Sequence, residues 1–263
     1  MAGRSLRVRK YLQRGRIVLA NSLNSFLLFP LGILISTLII RLTSPDLWGA
    51  VVGVMILAQL GAHVVAWGNQ EYLLREFSRT PAGISKAWWQ SQLIRLVLLP
   101  IPLAILLIAG YRGPILLWGL VWTAGLILRQ AYQPLVVYFR DFTYSIVVEL
   151  MTTALAVGAI LLTSQELSLL PAVQILAFQS VLRGLFFTFR FLGRRIAGPG
   201  QTVSPLRLRY LWITTPFFLL ALSGMLNSRI DLYLVNIFRP NEEVALYQIL
   251  VTVIIFTQSA AAF

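Results

Sequence analysis

Polar positions divide this chain into long apolar runs joined by short charged stretches. The sharpest division is RLTSPDLWGAVV, Arg41 to Val52, with apolar runs from Val18 to Ile40 on one side and Leu47 to Trp67 on the other. A residue before proline is pushed towards extended geometry, so Pro45 predicts a helix break. Gly49 then allows close packing as the next helix begins. Both runs reach the roughly 20 residues that a bilayer crossing needs. The pattern predicts two antiparallel membrane helices joined by a tight turn. A related pattern returns at FRPNEEVALYQIL, Phe238 to Leu250, with a proline, acids and Ala245 in place of Gly49. The recurrence, about 196 residues on, implies two related halves, the second of them incomplete.

The same length criterion predicts spans near 18–40, 47–67, 90–110, 115–139, 144–163, 168–189, 211–237 and 245–263. The expected fold is all-α: a polytopic membrane helix bundle of about eight transmembrane helices. It divides into a basic tail (1–17), a six-helix bundle (18–189), a linker (190–210) and the first two helices of a second bundle (211–263). Pro30, Pro100, Pro102, Pro134 and Pro216 fall inside spans, where they kink a helix and free a carbonyl. Pro171 falls in a first turn, where it is harmless. Between spans two and three, GNQEYLLREFSRTPAGISKAWW has room for a short interfacial helix with Leu73, Leu74 and Phe77 on one face.

Composition strengthens the membrane reading. The apolar share is 58%, the charged share 12%, and the mean hydropathy is +0.79. A formal charge of +13 would suggest nucleic acid for a soluble protein. Here the cations gather at the edges of apolar runs, so no nucleic-acid partner is expected and the charge instead sets orientation. Fifteen Lys or Arg fall on the side of the N-terminal tail and the 68–89, 140–143 and 190–210 connections; only Arg41, Arg112 and Arg239 fall opposite. That bias predicts a multi-pass protein of the cell membrane with a cytoplasmic N-terminus. The first run is too long for a signal peptide and lacks a convincing small-residue cleavage site, so it is expected to remain as a helix. With no Cys, thiolate chemistry and disulfides are excluded. No HExxH, phosphate-binding Gly-rich loop or acidic metal cluster is visible, so no cofactor, metal or catalytic residue is expected.

Candidate chemistry then rests on polar groups inside the spans. An Arg or Asp at a helix centre costs about 2.5–3.5 kcal/mol on insertion scales, so such residues are functional suspects. Arg129 lies near the middle of the fourth span, with Gln133 one turn away. Its planar fork suits two phosphate oxygens, but a structural bond to a neighbouring helix would satisfy it equally. Arg95 and Arg183 are candidates too, although both lie close enough to the cytoplasmic boundary to snorkel. Glu149 is expected to pair with an arginine. Arg229 and Asp231 are two apart, so they do not face each other on a regular helix and each needs a separate partner. Asn21 and Asn24 share a face of the first span; they line a cavity or bond between helices. His63, the single histidine, is either a packing residue or a titrating one. Four arginines against two acids make the expected cavity cationic and suited to an anionic substrate.

SPDLWG between two apolar helices, followed by YLLREFSR, resembles the start of oligosaccharide and polysaccharide flippases. These belong to the multidrug/oligosaccharidyl-lipid/polysaccharide exporter superfamily. SRIDLYLVNIFRPNEEVALYQ is similar to the seventh-to-eighth helix region of that family. The resemblance covers the whole chain but about two-thirds of a usual member. It implies an alternating-access carrier, not an enzyme, with a polyprenyl-pyrophosphate-linked sugar as substrate. Membrane lipids and polysaccharide- or lipopolysaccharide-assembly proteins are the implied partners. It also implies that these residues alone support no transport. Two other readings stay open: a multidrug or cation antiporter of the same fold, and a membrane-embedded glycosyltransferase or polymerase. An antiporter should carry an acid-dominated cavity, and a glycosyltransferase should carry catalytic carboxylates near one membrane face.

Orientation is checked by labelling introduced cysteines from outside the cell. Ser44→Cys should react and Thr202→Cys should not. Labelling at position 202 alone would reverse the orientation.

Overall fold

The structure, a computed structural model, describes residues 2–192, 196 and 208–261; most of the expected 190–210 linker, including Thr202, lies outside the described residues. Of the described residues, 91% are helical and none is in a strand. The helices are α1 (Ala2–Leu42), α2 (Pro45–Ala66), α3 (Asn69–Arg79), α4 (Ile84–Leu98), α5 (Pro100–Ile108), α6 (Gly113–Phe139), α7 (Phe142–Leu162), α8 (Leu169–Phe191), α9 (Leu208–Phe238) and α10 (Asn241–Ala261). A 3₁₀ turn, Pro81–Gly83, joins α3 to α4. The fold is an all-α polytopic bundle.

Among the described residues, seven spans are long and apolar enough to cross a membrane. They match the first seven expected. The eighth expected span, 245–263, corresponds to α10, which opens on Asn241, Glu242 and Glu243 before its apolar run. The third expected span is not one helix. It is broken between α4 and α5 at Leu99, just before Pro100, which has no N–H to continue the ladder. The basic tail is not separate from the first helix, since α1 already begins at Ala2.

The break at Pro45 forms as the sequence predicts. Ser44 is extended at φ −154°, and its hydroxyl accepts the Leu47 N–H at 3.2 Å, capping α2. At the other end of α2, Trp67 and Gly68 both take left-handed φ, at 46° and 65°, and turn the chain into α3. Gly68 meets the Phe217 and Phe218 backbone of α9, leaving no space for a side chain. The Trp67 ring stacks on Phe218 with centroids 4.1 Å apart.

Helix α2 is the axle of the bundle. It packs against α1, α4, α5, α6, α8, α9 and α10. Small residues make this possible: Ala58 and Ala62 are fully buried, and Gly61 lies against Pro102 of α5. One apolar core surrounds α2 and draws in Trp48, Ile56, Trp122, Leu176 and Val244. A second core joins α3, α4, α6 and α8 through Leu73, Phe77, Trp88, Tyr132 and Phe187. Leu73 and Phe77 of α3 are therefore buried against protein, mainly α6, rather than laid on lipid, while Leu74 is half-buried. Large apolar side chains cover the outside of α9, including Trp212 and Phe238, as a hydrocarbon surround requires.

The two loop patterns meet in space. A Cβ on Gly49 would collide with the Asn241 backbone at the start of α10, whose Cα lies 2.7 Å from that position. The first turns of α2 and α10 thus touch backbone to backbone. Gly49→Ala should lower the apparent melting temperature in detergent, as overpacking of about 1–3 kcal/mol requires. Gly224→Ala is the control, because nothing lies within 4 Å of its added carbon. Equal melting of the two variants would show that the contact is not tight.

Candidate functional site

Three charged side chains of α6, α7 and α8 converge at one point. Glu149 of α7 has 1% of its side chain exposed. Arg129 of α6 reaches its Oε1 at 2.7 Å, and Arg183 of α8 reaches its Oε2 at 3.0 Å. All three lie about 10–15 Å along their helices from the Phe139–Phe142 corner, hence deep in the apolar layer. That corner is pinned by Arg190 and Asp141, 2.9 Å apart. The approach of α6 to α8 depends on Gly125, where a Cβ would lie 2.5 Å from the Val181 nitrogen.

The two arginines are held differently. Arg183 donates through Nε to Thr152 Oγ1 at 3.0 Å and through Nη2 to Thr153 Oγ1 at 3.0 Å. Gln179 braces Thr153 with a further bond of 3.1 Å. Arg129 is bonded to Glu149 alone among the described residues, and 23% of its side chain is exposed. The sequence leaves the Glu149 partner open; the geometry gives it Arg183 and Arg129, not Arg95.

Arg129 and Arg183 face a cavity of about 190 Å³ enclosed by α1, α2, α6, α7, α8 and α10. An adjoining cavity of about 350 Å³ lies towards α9 and contains Arg229. Leu28, Gly32, Met55, Gln59 and Gln248 form walls of both. The result is a cleft between the first six spanning helices and α9–α10. Three arginines line it, and Glu149 lies buried behind Arg129 and Arg183, so the four groups together carry an excess of two positive charges. The cleft's neutral polar groups include Gln59, Thr153, Gln179, Ser180 and Gln248, and its aromatic walls are Trp48 and Trp122. Trp48 donates its indole N–H to Gln248 Oε1 at 3.1 Å, closing the end of the cleft near the two loops. Gln59, Gln248 and Trp48 are absent from the sequence-derived candidates. The signal that could have found the two glutamines is a lone amide within an apolar run, the same logic that selected the arginines.

The remaining candidates separate. Gln133 is half-buried and lines neither cavity, so it does not join Arg129. Asn21 is exposed whereas Asn24 is buried, and neither lines the cleft. Asp231 does not pair with Arg229; it accepts the Tyr247 hydroxyl of α10 at 2.5 Å. Its partner is thus within this chain. His63 lies by Ala221 of α9 in a small separate pocket with Glu71, Arg95 and Gln130.

Arg95 does not snorkel. Only 3% of it is exposed, and it donates to the Ile127 oxygen at 2.9 Å and the Gln130 oxygen at 3.4 Å. The reason is Pro134 inside α6, which has no N–H to offer the Gln130 carbonyl one turn earlier. Trp88 donates to the next carbonyl, Ala131, at 2.9 Å. Arg95 thereby supplies a donor to the carbonyl that the proline frees, as apolar surroundings demand, and Trp88 adds one at its neighbour. Arg95 is a structural cation, outside the cleft.

Removing that cation should expose the defect. Arg95→Met should lower the apparent melting temperature through a loss of about 2 kcal/mol. Adding Pro134→Ala should recover part of it, because alanine restores the N–H for Gln130. Additive losses in a double-mutant cycle would disprove the coupling. Compared with known proteins, the chain matches no family model, no curated protein and no solved structure.

Proposed function

We propose that this chain forms the cargo cleft of a carrier that moves lipid-linked oligosaccharide or polysaccharide precursors across the cell membrane by alternating access. The observation that carries this reading is the cationic cleft between the first six spanning helices and α9–α10. Arg129 and Arg229 supply phosphate donors from opposite sides of that cleft. A guanidinium offers a planar fork to a diphosphate, and the low-dielectric surround strengthens the attraction. Gln59, Gln248 and Ser180 add amide and hydroxyl groups suited to sugar hydroxyls, and Trp48 and Trp122 add flat apolar faces suited to sugar rings. No bond is made or broken in this mechanism. Substrate recognition and the relative movement of two helix groups suffice. The N-terminus is cytoplasmic in this reading, as the distribution of basic residues favours.

A cation antiporter of the same architecture needs a free acid facing its cavity. No carboxylate of the described residues lines this cleft; Glu149 is buried and paired with two guanidinium groups. That arrangement favours an anionic cargo. Asp231, the other intramembrane candidate acid, is bonded to Tyr247 and Leu232.

The test is binding per folded molecule in nanodiscs, using a polyprenyl-diphosphate-linked sugar. Arg129→Ala should weaken binding by about tenfold or more, since a charge-assisted bond contributes about 1.5–3 kcal/mol. Arg129→Lys should recover only part, because ammonium keeps the charge and loses the fork. Unchanged binding in both variants would remove Arg129 from the site. Binding of a lipophilic cation in place of the lipid-linked sugar would favour the antiporter.

A further inference from the structure

Arg129 and Arg183 share one carboxylate, yet their surroundings are unequal. Arg183 is fixed by Glu149, Thr152 and Thr153, and Gln179 buttresses Thr153. Among the described residues Arg129 has one partner, an ion pair from Nη2 to Glu149 Oε1, and its side chain lines a partly open cleft. A guanidinium has five N–H donors. Most of the recognition capacity of Arg129 is therefore uncommitted, and its single commitment is to an anion tethered to the protein.

We propose that Glu149 is a tethered counter-anion that competes with the cargo phosphate for Arg129. In the empty cleft it neutralises Arg129. When a phosphate or diphosphate group enters, Arg129 exchanges the carboxylate for phosphate oxygens. Glu149 then remains on Arg183, whose threonine contacts hold that pair in place. The exchange lets an arginine stay buried without cargo, where an unpaired charge is costly. It also limits affinity, so that cargo can leave. Glu149 is thus a specificity-setting residue: a neutral cargo has no means of displacing it. This inference rests on the anionic-cargo reading above, but it concerns diphosphate binding alone and needs no sugar, lipid tail or transport.

The probe is sodium pyrophosphate, titrated calorimetrically into the full purified chain in nanodiscs. Glu149→Gln removes the competing charge and should tighten pyrophosphate binding by about tenfold. Glu149→Asp keeps the charge but shortens its reach, favouring Arg183 over Arg129, and should tighten binding several-fold. The aspartate variant covers the case in which the glutamine variant does not fold. In the unmodified chain, infrared difference spectra on adding pyrophosphate should show one carboxylate stretching band shifting, a readout that needs no variant. Equal or weaker binding in the folded variants overturns the exchange. So does an unshifted carboxylate band, and so does a lack of pyrophosphate binding by the unmodified chain. Pyrophosphate binding with the expected shift, but without binding of a lipid-linked sugar, would leave the exchange standing and remove the flippase reading.

Discussion

Glu149 sits where water cannot solvate it, and three helices are arranged accordingly. Its two oxygens are divided between guanidinium groups on α6 and α8, and those helices close around it. Isolating any one of these charges in an apolar layer would be prohibitive, so each fixes the position of the others. Glycine then sets how closely the backbones approach. Gly125 brings α6 against α8, and Gly184 meets Leu128 of α6. The charged triad and the small-residue contacts work together: the first demands proximity, the second permits it.

The same demand explains α4. A proline in α6 opens the backbone at Gln130, and hydrocarbon offers no replacement donor. Arg95 fills that role, and Trp88 adds a donor at the adjacent Ala131 carbonyl. Two intramembrane arginines of similar appearance in the sequence therefore do different things. Arg95 completes a damaged hydrogen-bond ladder. Arg129 faces open space with most of its donors available.

This contrast marks the limit of what the sequence reveals. The spans were legible because a bilayer imposes a length on every crossing, and apolar runs of that length are plain to read. Ser44–Pro45 announced its own break through local chemistry. Depth alone selected Arg129, Arg183 and Arg229, and these three do face the cleft. Depth could not distinguish Arg95, because its partners are carbonyls 32 and 35 residues away on another helix. Asn21 and Asn24 looked equivalent on helical spacing, but α1 buries one and exposes the other. Gln59 and Gln248 belong to different halves of the sequence pattern, and only folding places them on a common wall. Long-range pairing, rather than local propensity, decides each of these cases.

The contact between Gly49 and Asn241 has a mechanical meaning. Two backbones in direct touch have no side-chain layer through which to slide. A displacement of one residue along α2 would bring Trp48 or Ala50 against Asn241, and neither fits where only a hydrogen does. Helix α10 extends 21 residues from this point, an arm of about 30 Å. A turn of about 10° at the fulcrum carries the far end through about 5 Å, by simple leverage on that arm. Glycine here fixes one end of the cleft, and the packing of Phe256 on Phe26 and Phe29 of α1 governs its width at the other.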